Sequence, residues 1–137
     1  MSVDGQVVGD IRHGLLVYLG VAAGDGPADT EYIVSKIHGL RIFEDADGKM
    51  NRSVADAGGA VLLVSQFTLS GDARNGRRPS FIGAEKPDLA KGRFDETLAA
   101  LRATGLRVAA GVFQAHMHVA AVNDGPVTIL LDSSRLF

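Results

Sequence analysis

The sequence predicts an α+β domain, and two kinds of pattern predict it. Short β-rich apolar runs, such as Leu15–Leu19 and Val61–Val64, are bounded by Gly, Pro and Asp clusters. Two longer stretches repeat apolar residues at helical spacing. Many short strands with only two helices point to an antiparallel sheet or barrel as the core. At 137 residues the chain is expected to be one domain, residues 1–137.

In chain order, Val7–Ile11 reads as a short strand and Gly14–Val21 as a stronger one. The near-continuous apolar character of the second predicts burial on both faces. Gly24-Asp25-Gly26-Pro27 breaks the chain. Asp29 or Thr30 is the expected cap of a helix running to about Leu40, with Ile33, Ile37 and Leu40 on one face. Arg41–Phe43 is an expected strand, Asp45–Lys49 a turn, and Met50–Asn51 a short paired segment. Ala60–Gln66 is a buried strand, and Thr68–Ser70 is expected to continue it beyond a kink. A Gly- and Pro-rich loop covers 71–87, and ordered loops of such length are often functional. Pro87 or Asp88 opens a second helix reaching about Gly105, with Leu89, Phe94, Leu98 and Leu101 as its apolar face. Leu106–Val108 is a strand. Val119–Leu131 is expected to be a hairpin turning at Asn123-Asp124-Gly125-Pro126, because Asn, Asp and Gly tolerate positive φ and Pro fixes its own.

Composition excludes several classes. There is no cysteine, hence no disulfide and no thiolate metal or redox site. No apolar run is long enough to span a bilayer and none resembles a signal peptide, so a cytoplasmic location is the expectation. A net charge of −2 argues against coating nucleic acid by bulk charge, and no DNA partner is expected. The region from Arg74 to Arg93 is locally basic.

No Gly-X-Ser-X-Gly elbow surrounds any serine. His116 and His118 alternate along an extended segment, but two histidines make a weak metal signal; a His-metal esterase is kept as an alternative. Thr68 follows the buried strand, yet no base neighbours it in sequence. The reading preferred here is that the kinked strand end aims backbone N–H groups, those of Phe67 and Thr68, at one point as an oxyanion hole.

Three segments, Ser65-Gln66-Phe67-Thr68, Arg78-Pro79-Ser80-Phe81 and Asn123-Asp124-Gly125-Pro126-Val127-Thr128, occur in this order. In them the chain resembles the D-aminoacyl-tRNA deacylase family, over nearly its whole length. The resemblance implies a β-barrel-like core with helices outside, a homodimer, and no cofactor. It implies an ester substrate joining a D-amino acid to the 3′-terminal adenosine of tRNA. The ribose 2′-hydroxyl would assist an attacking water, while the protein supplies orientation and oxyanion stabilisation from Phe67 and Thr68, with Gln66 beside them. Gly125-Pro126, with a cis peptide, would reject L side chains from within the partner subunit's site, which should then admit glycine. Ser65, Arg78, Ser80, Asn123 and Thr128 would bind or brace. Phe81 either stacks on the terminal adenine or packs in the core. A non-catalytic binder of aminoacylated RNA ends is the rival reading. The family also opens with a strand ending in Ala-Ser-Val; here Met1-Ser2-Val3 stands first, so that strand is expected to be missing.

Overall fold

The computed structural model describes all 137 residues. In order they form β1 (Ser2–Val3), β2 (Gln6–Val7), β3 (Gly14–Leu19), α1 (Pro27–Gly39), β4 (Phe43–Glu44), β5 (Met50–Arg52), β6 (Ala60–Ser65), a one-turn 3-10 helix (Phe67–Ser70), α2 (Pro87–Ala103) and β7 (Val108–Ala110). The class is mixed α/β with two helices. The main sheet has the order β3-β6-β7 and is parallel throughout. This corrects the antiparallel core expected from sequence. The physical reason is the connectivity: the path from β3 to β6 contains α1 and the path from β6 to β7 contains α2, and a helical crossover returns the chain in the same direction. Antiparallel pairing is confined to β1-β2, β4-β5 and isolated bridges, and no closed barrel forms within one chain.

β6 is the centre. Ala60 to Val64 are all buried, and Val61, Leu63, Phe94, Leu101, Leu106, Val108, Ile37 and Val54 make one core cluster. Each fully buried large side chain contributes roughly 1.5–3 kcal/mol relative to exposure. β3, by contrast, is only half-buried, because it pairs on one edge alone and lies at the rim of the sheet. The expectation of burial on both its faces therefore fails.

α1 begins a turn earlier than expected. Pro27 occupies its first position, where a missing N–H costs nothing, and Asp29 accepts the Gly26 N–H at 2.8 Å. That bond holds the Asp29 carboxyl below the usual carboxylate range. α2 starts at Pro87 as expected. Its buried face is Ala90, Phe94, Thr97 and Leu101; Leu89 is exposed instead. The Thr97 hydroxyl is buried without penalty, because it donates to the Arg93 carbonyl at 2.8 Å.

Further expectations shift or fail. The Val7–Ile11 strand shrinks to Gln6–Val7 against Ser2–Val3. The strand expected at Arg41–Phe43 lies at Phe43–Glu44, and that at Leu106–Val108 lies at Val108–Ala110. Residues Thr68–Ser70 do not continue β6 but curl into the 3-10 turn. The hairpin over Val119–Leu131 has its turn but no flanking strand pair.

Candidate functional site

β6 delivers the site. The strand ends at Ser65, and the Gln66 N–H still donates to the Leu19 carbonyl at 2.8 Å, anchoring the strand end to β3. The chain then turns at once into Phe67–Ser70. Leu69 N–H closes that turn onto the Gln66 carbonyl at 3.3 Å, and Gly71 N–H onto the Thr68 carbonyl at 3.0 Å. The N–H groups of Phe67 and Thr68 stand at the head of the turn, where no acceptor exists within it. The expectation of an oxyanion hole from sequence falls on these two N–H groups. The Gln66 side-chain amide donates to the Thr68 hydroxyl, so that oxygen is occupied as an acceptor.

The Phe67 ring meets Phe81 edge-on, centroids 5.1 Å apart at 68°. Both rings remain partly open to solvent, Phe67 at 57% and Phe81 at 37%. Phe81 is therefore not a core residue in one chain. It is held there by a bridge in the long loop, where Asp72 and Ser80 exchange backbone hydrogen bonds of 2.8 Å each. Asp72 also grips Arg74: its carboxylate accepts Arg74 Nε at 2.9 Å, Nη2 at 2.7 Å and the backbone N–H at 3.0 Å. The Arg74 guanidinium, then its backbone N–H, hold the Asp72 carboxyl down to about 2. Arg74 is thus neutralised, as are Lys91 by Asp95 and Arg93 by Glu96. Arg77 and Arg78 take part in no ion pair and are exposed at the loop's tip. An open cleft of about 710 Å³ lies within this loop, lined by Ser70 at the end of the 3-10 turn and by Gly71, Asp72, Arg74, Ser80 and Ile82 among others. Of the residues singled out from sequence, Ser80 alone lines it.

The third segment stands apart. Asn123 braces its own turn, its amide donating to the Thr128 hydroxyl at 3.0 Å and its oxygen accepting the Val127 N–H at 3.2 Å. The Gly125-Pro126 peptide is cis, and Gly125 has φ +133°, a region L residues rarely enter. Asn123, Asp124, Gly125, Pro126 and Thr128 are exposed. No hydrogen bond or ring contact joins this turn to Ser65–Phe81 within one chain. The clamp expected from Arg78 or Ser80 onto the turn is not made there.

The His116 and His118 rings lie edge-on with centroids 5.3 Å apart, and no third His, Cys, Asp or Glu joins them. His13 packs on Phe43. Asp72, which orders the loop behind Phe81, was missed by sequence reasoning. Its signal was local: an Asp two residues before an Arg in a Gly-rich loop favours a side-chain-capped turn.

By fold this is a small mixed α/β domain with two helices. A family model described as D-Tyr-tRNA(Tyr) deacylase matches residues 1–132, and the chain belongs to that family. Relatives named D-aminoacyl-tRNA deacylase include those of Desulfitobacterium hafniense, 57% identical over 137 residues, and Koribacter versatilis, 58% identical over the same length. Each alignment covers 100% of this chain and 92% of the relative. A solved structure of a protein named c-Myc DNA Unwinding Element Binding Protein superimposes with TM-score 0.90 at 39% identity, covering 96% of this chain and 89% of that one. A probable eukaryotic D-amino acid tRNA deacylase superimposes with TM-score 0.61 at 18% identity, over 74% of this chain and 75% of that one, a likeness of fold.

Proposed function

We propose that this protein hydrolyses the ester between a D-amino acid, or glycine, and the 3′-terminal adenosine of tRNA, releasing free amino acid and reusable tRNA. The observation that carries the reading is the turn at the end of β6, with the Phe67 and Thr68 N–H groups at its head and without acceptors inside it. Such donors suit the oxyanion that develops when water attacks an ester carbonyl. The ribose 2′-hydroxyl of the substrate assists the water, so no side-chain base is required. Gln66 orients Thr68, Ser65 ends the strand, and Phe81 receives the terminal adenine by stacking. Arg77 and Arg78 meet phosphates of the tRNA 3′ end.

Selection against L-amino acids falls to Gly125-Pro126, braced by Asn123 and Thr128. A backbone device of this kind reads the configuration at Cα and ignores which side chain is present. Because the turn is exposed and unconnected to Ser65–Phe81 in one chain, we assign it to the site of a second copy, where Arg78 and Ser80 hold it. Barrel-like closure of the core belongs to the same dimer. No helix is long and apolar enough to cross a membrane. A charged-tRNA substrate supports a cytoplasmic location for the activity. The 39% identical relative is named for binding a DNA unwinding element, which raises DNA as a partner; the net charge of −2 supplies little of the counterion-release term such binding needs.

The test is single-turnover hydrolysis of matched D-, L- and glycyl-tRNA, with a D-substrate ending in 2′-deoxyadenosine. The D- and glycyl-esters should be cleaved, the L-ester spared, and the deoxy substrate bound but cleaved slowly. Equal cleavage of D- and L-esters sinks the reading, and binding without cleavage of any ester favours the non-catalytic rival.

A further inference from the structure

Two glycines flank the 3-10 turn without any backbone need to be glycine. Gly71 has φ −63° and ψ 121°, a conformation open to every residue. Gly20, just after β3, is not in the left-handed region either. What both lack is room. A Cβ on Gly71 would stand 2.9 Å from the Thr68 carbonyl oxygen and 3.1 Å from Cε1 of Phe81. A Cβ on Gly20 would stand 3.2 Å from the Gln66 carbonyl oxygen and 3.2 Å from Cβ of Leu69.

The atoms touched are informative. The Gln66 carbonyl belongs to the same rigid peptide plane as the Phe67 N–H, so displacing one swings the other. The Thr68 carbonyl accepts the Gly71 N–H that closes the turn at 3.0 Å. The two glycines therefore press on the turn from opposite ends, and the second also presses on the ring that packs against Phe67.

We infer that Gly20 and Gly71 are positioning residues: their missing side chains let β3 and the long loop close onto the turn and so fix the direction of the Phe67 and Thr68 N–H groups. The inference rests on the oxyanion reading of that turn. Both methyls would meet a backbone carbonyl oxygen, at 2.9 Å for Gly71 and 3.2 Å for Gly20, and the shorter approach disturbs the turn more. A displacement near 1 Å at an oriented catalytic group costs on the order of a hundredfold in rate.

The experiment compares Gly71→Ala, Gly20→Ala and a control, Gly59→Ala. Gly59 is crowded too, its Cβ position 3.1 Å from the Gly14 Cα and 3.1 Å from a Val54 methyl, but it precedes β6 at the end away from the turn. Thermal melts, kcat and KM for a D-aminoacyl-tRNA, and ¹H–¹⁵N spectra are read for each. Gly71→Ala should lose roughly tenfold or more in kcat, and Gly20→Ala roughly threefold or more, each with KM within about twofold of wild type. The amide resonances of Phe67 and Thr68 should move in both. Gly59→Ala should melt earlier, with kcat and those resonances unchanged. If Gly71→Ala does not fold, Gly20→Ala decides alone. Folded variants with wild-type kcat and unmoved Phe67 and Thr68 amides overturn the inference. A wild-type protein that cleaves no D-ester overturns the functional reading instead, and the amide shifts still judge the glycines.

Discussion

β6 and the segment Val119–Leu131 carry the same kind of sequence, an apolar run beside polar residues, and meet opposite fates. In β6, Val61 and Leu63 are 0% exposed and both edges are hydrogen-bonded, to β3 and to β7. In the C-terminal segment no ladder forms, and Val122, Ile129 and Leu130 are 93%, 49% and 67% exposed. An apolar run specifies that it will be covered, not by what. β6 finds its cover in α1, α2 and its neighbouring strands. In the C-terminal segment Leu131 packs against that core, but Val122, Ile129 and Leu130 find no cover within one chain, which is the physical ground for proposing a second copy there.

The difference can be sharpened by mutation. Leu63→Ala should lower the free energy of unfolding by about 2–5 kcal/mol, the usual cost of truncating a closely packed leucine. Denaturant titration checks this, and a loss under about 1 kcal/mol would mean β6 is not the packed centre. Leu130→Ser should act elsewhere. In the proposed dimer, sedimentation should show dissociation rising roughly tenfold or more, while unfolding of the single chain moves within about 0.5 kcal/mol, as for an exposed site. An unfolding loss as large as that of Leu63→Ala would place Leu130 in the chain's own core and dissolve the contrast.

A smaller effect separates the two braced turns. Asn123→Ala removes the bonds to Thr128 and Val127, worth about 1 kcal/mol together in an exposed turn, and should erode discrimination between D- and L-esters more than the D-rate itself. A lost D-rate with discrimination intact would contradict this assignment. The smallest effect is pH-dependent. Asp72 is held to about 2 in the folded chain against an ordinary 3.8, so its contribution to loop order is fully present above pH 4 and fades as pH falls through about 2. Asp72→Asn should flatten that acid limb of loop order, followed by the Phe81 ring resonances. A limb unchanged by the substitution would show that another group orders the loop.

Much of the scaffold was legible locally. The 3.6-residue repeat and Pro87 gave α2 and its start, and continuous apolar residues gave β3 and β6. Strand direction was not legible, because it depends on the path of the crossovers rather than on any residue. The continuous apolar character of Leu15–Leu19 and Val61–Val64 was the available hint of a parallel sheet. The start of α1 was misjudged because Asp29 suits both a cap and the third helical position, and Pro27 decides between them. Thr68–Ser70 reads as strand by propensity. Tertiary contacts with Gly20 and Gly71 accompany its curl into a 3-10 turn instead. Of the candidate site, the order of Gln66, Phe67, Thr68 and Phe81 was legible in the motifs. The role of Asp72 was not, because its partners are fixed by the loop's geometry.

Catalysis on this reading depends on backbone groups, rather than a side-chain nucleophile, at the end of β6. Single-turnover hydrolysis of a D-aminoacyl-tRNA by Thr68→Ala tests that most directly. The substitution removes the hydroxyl that accepts from Gln66 but leaves the N–H groups of both Phe67 and Thr68. The predicted result is a folded protein whose rate stays within roughly tenfold of wild type. A folded Thr68→Ala protein with turnover reduced to the uncatalysed background would contradict it and make the hydroxyl the nucleophile.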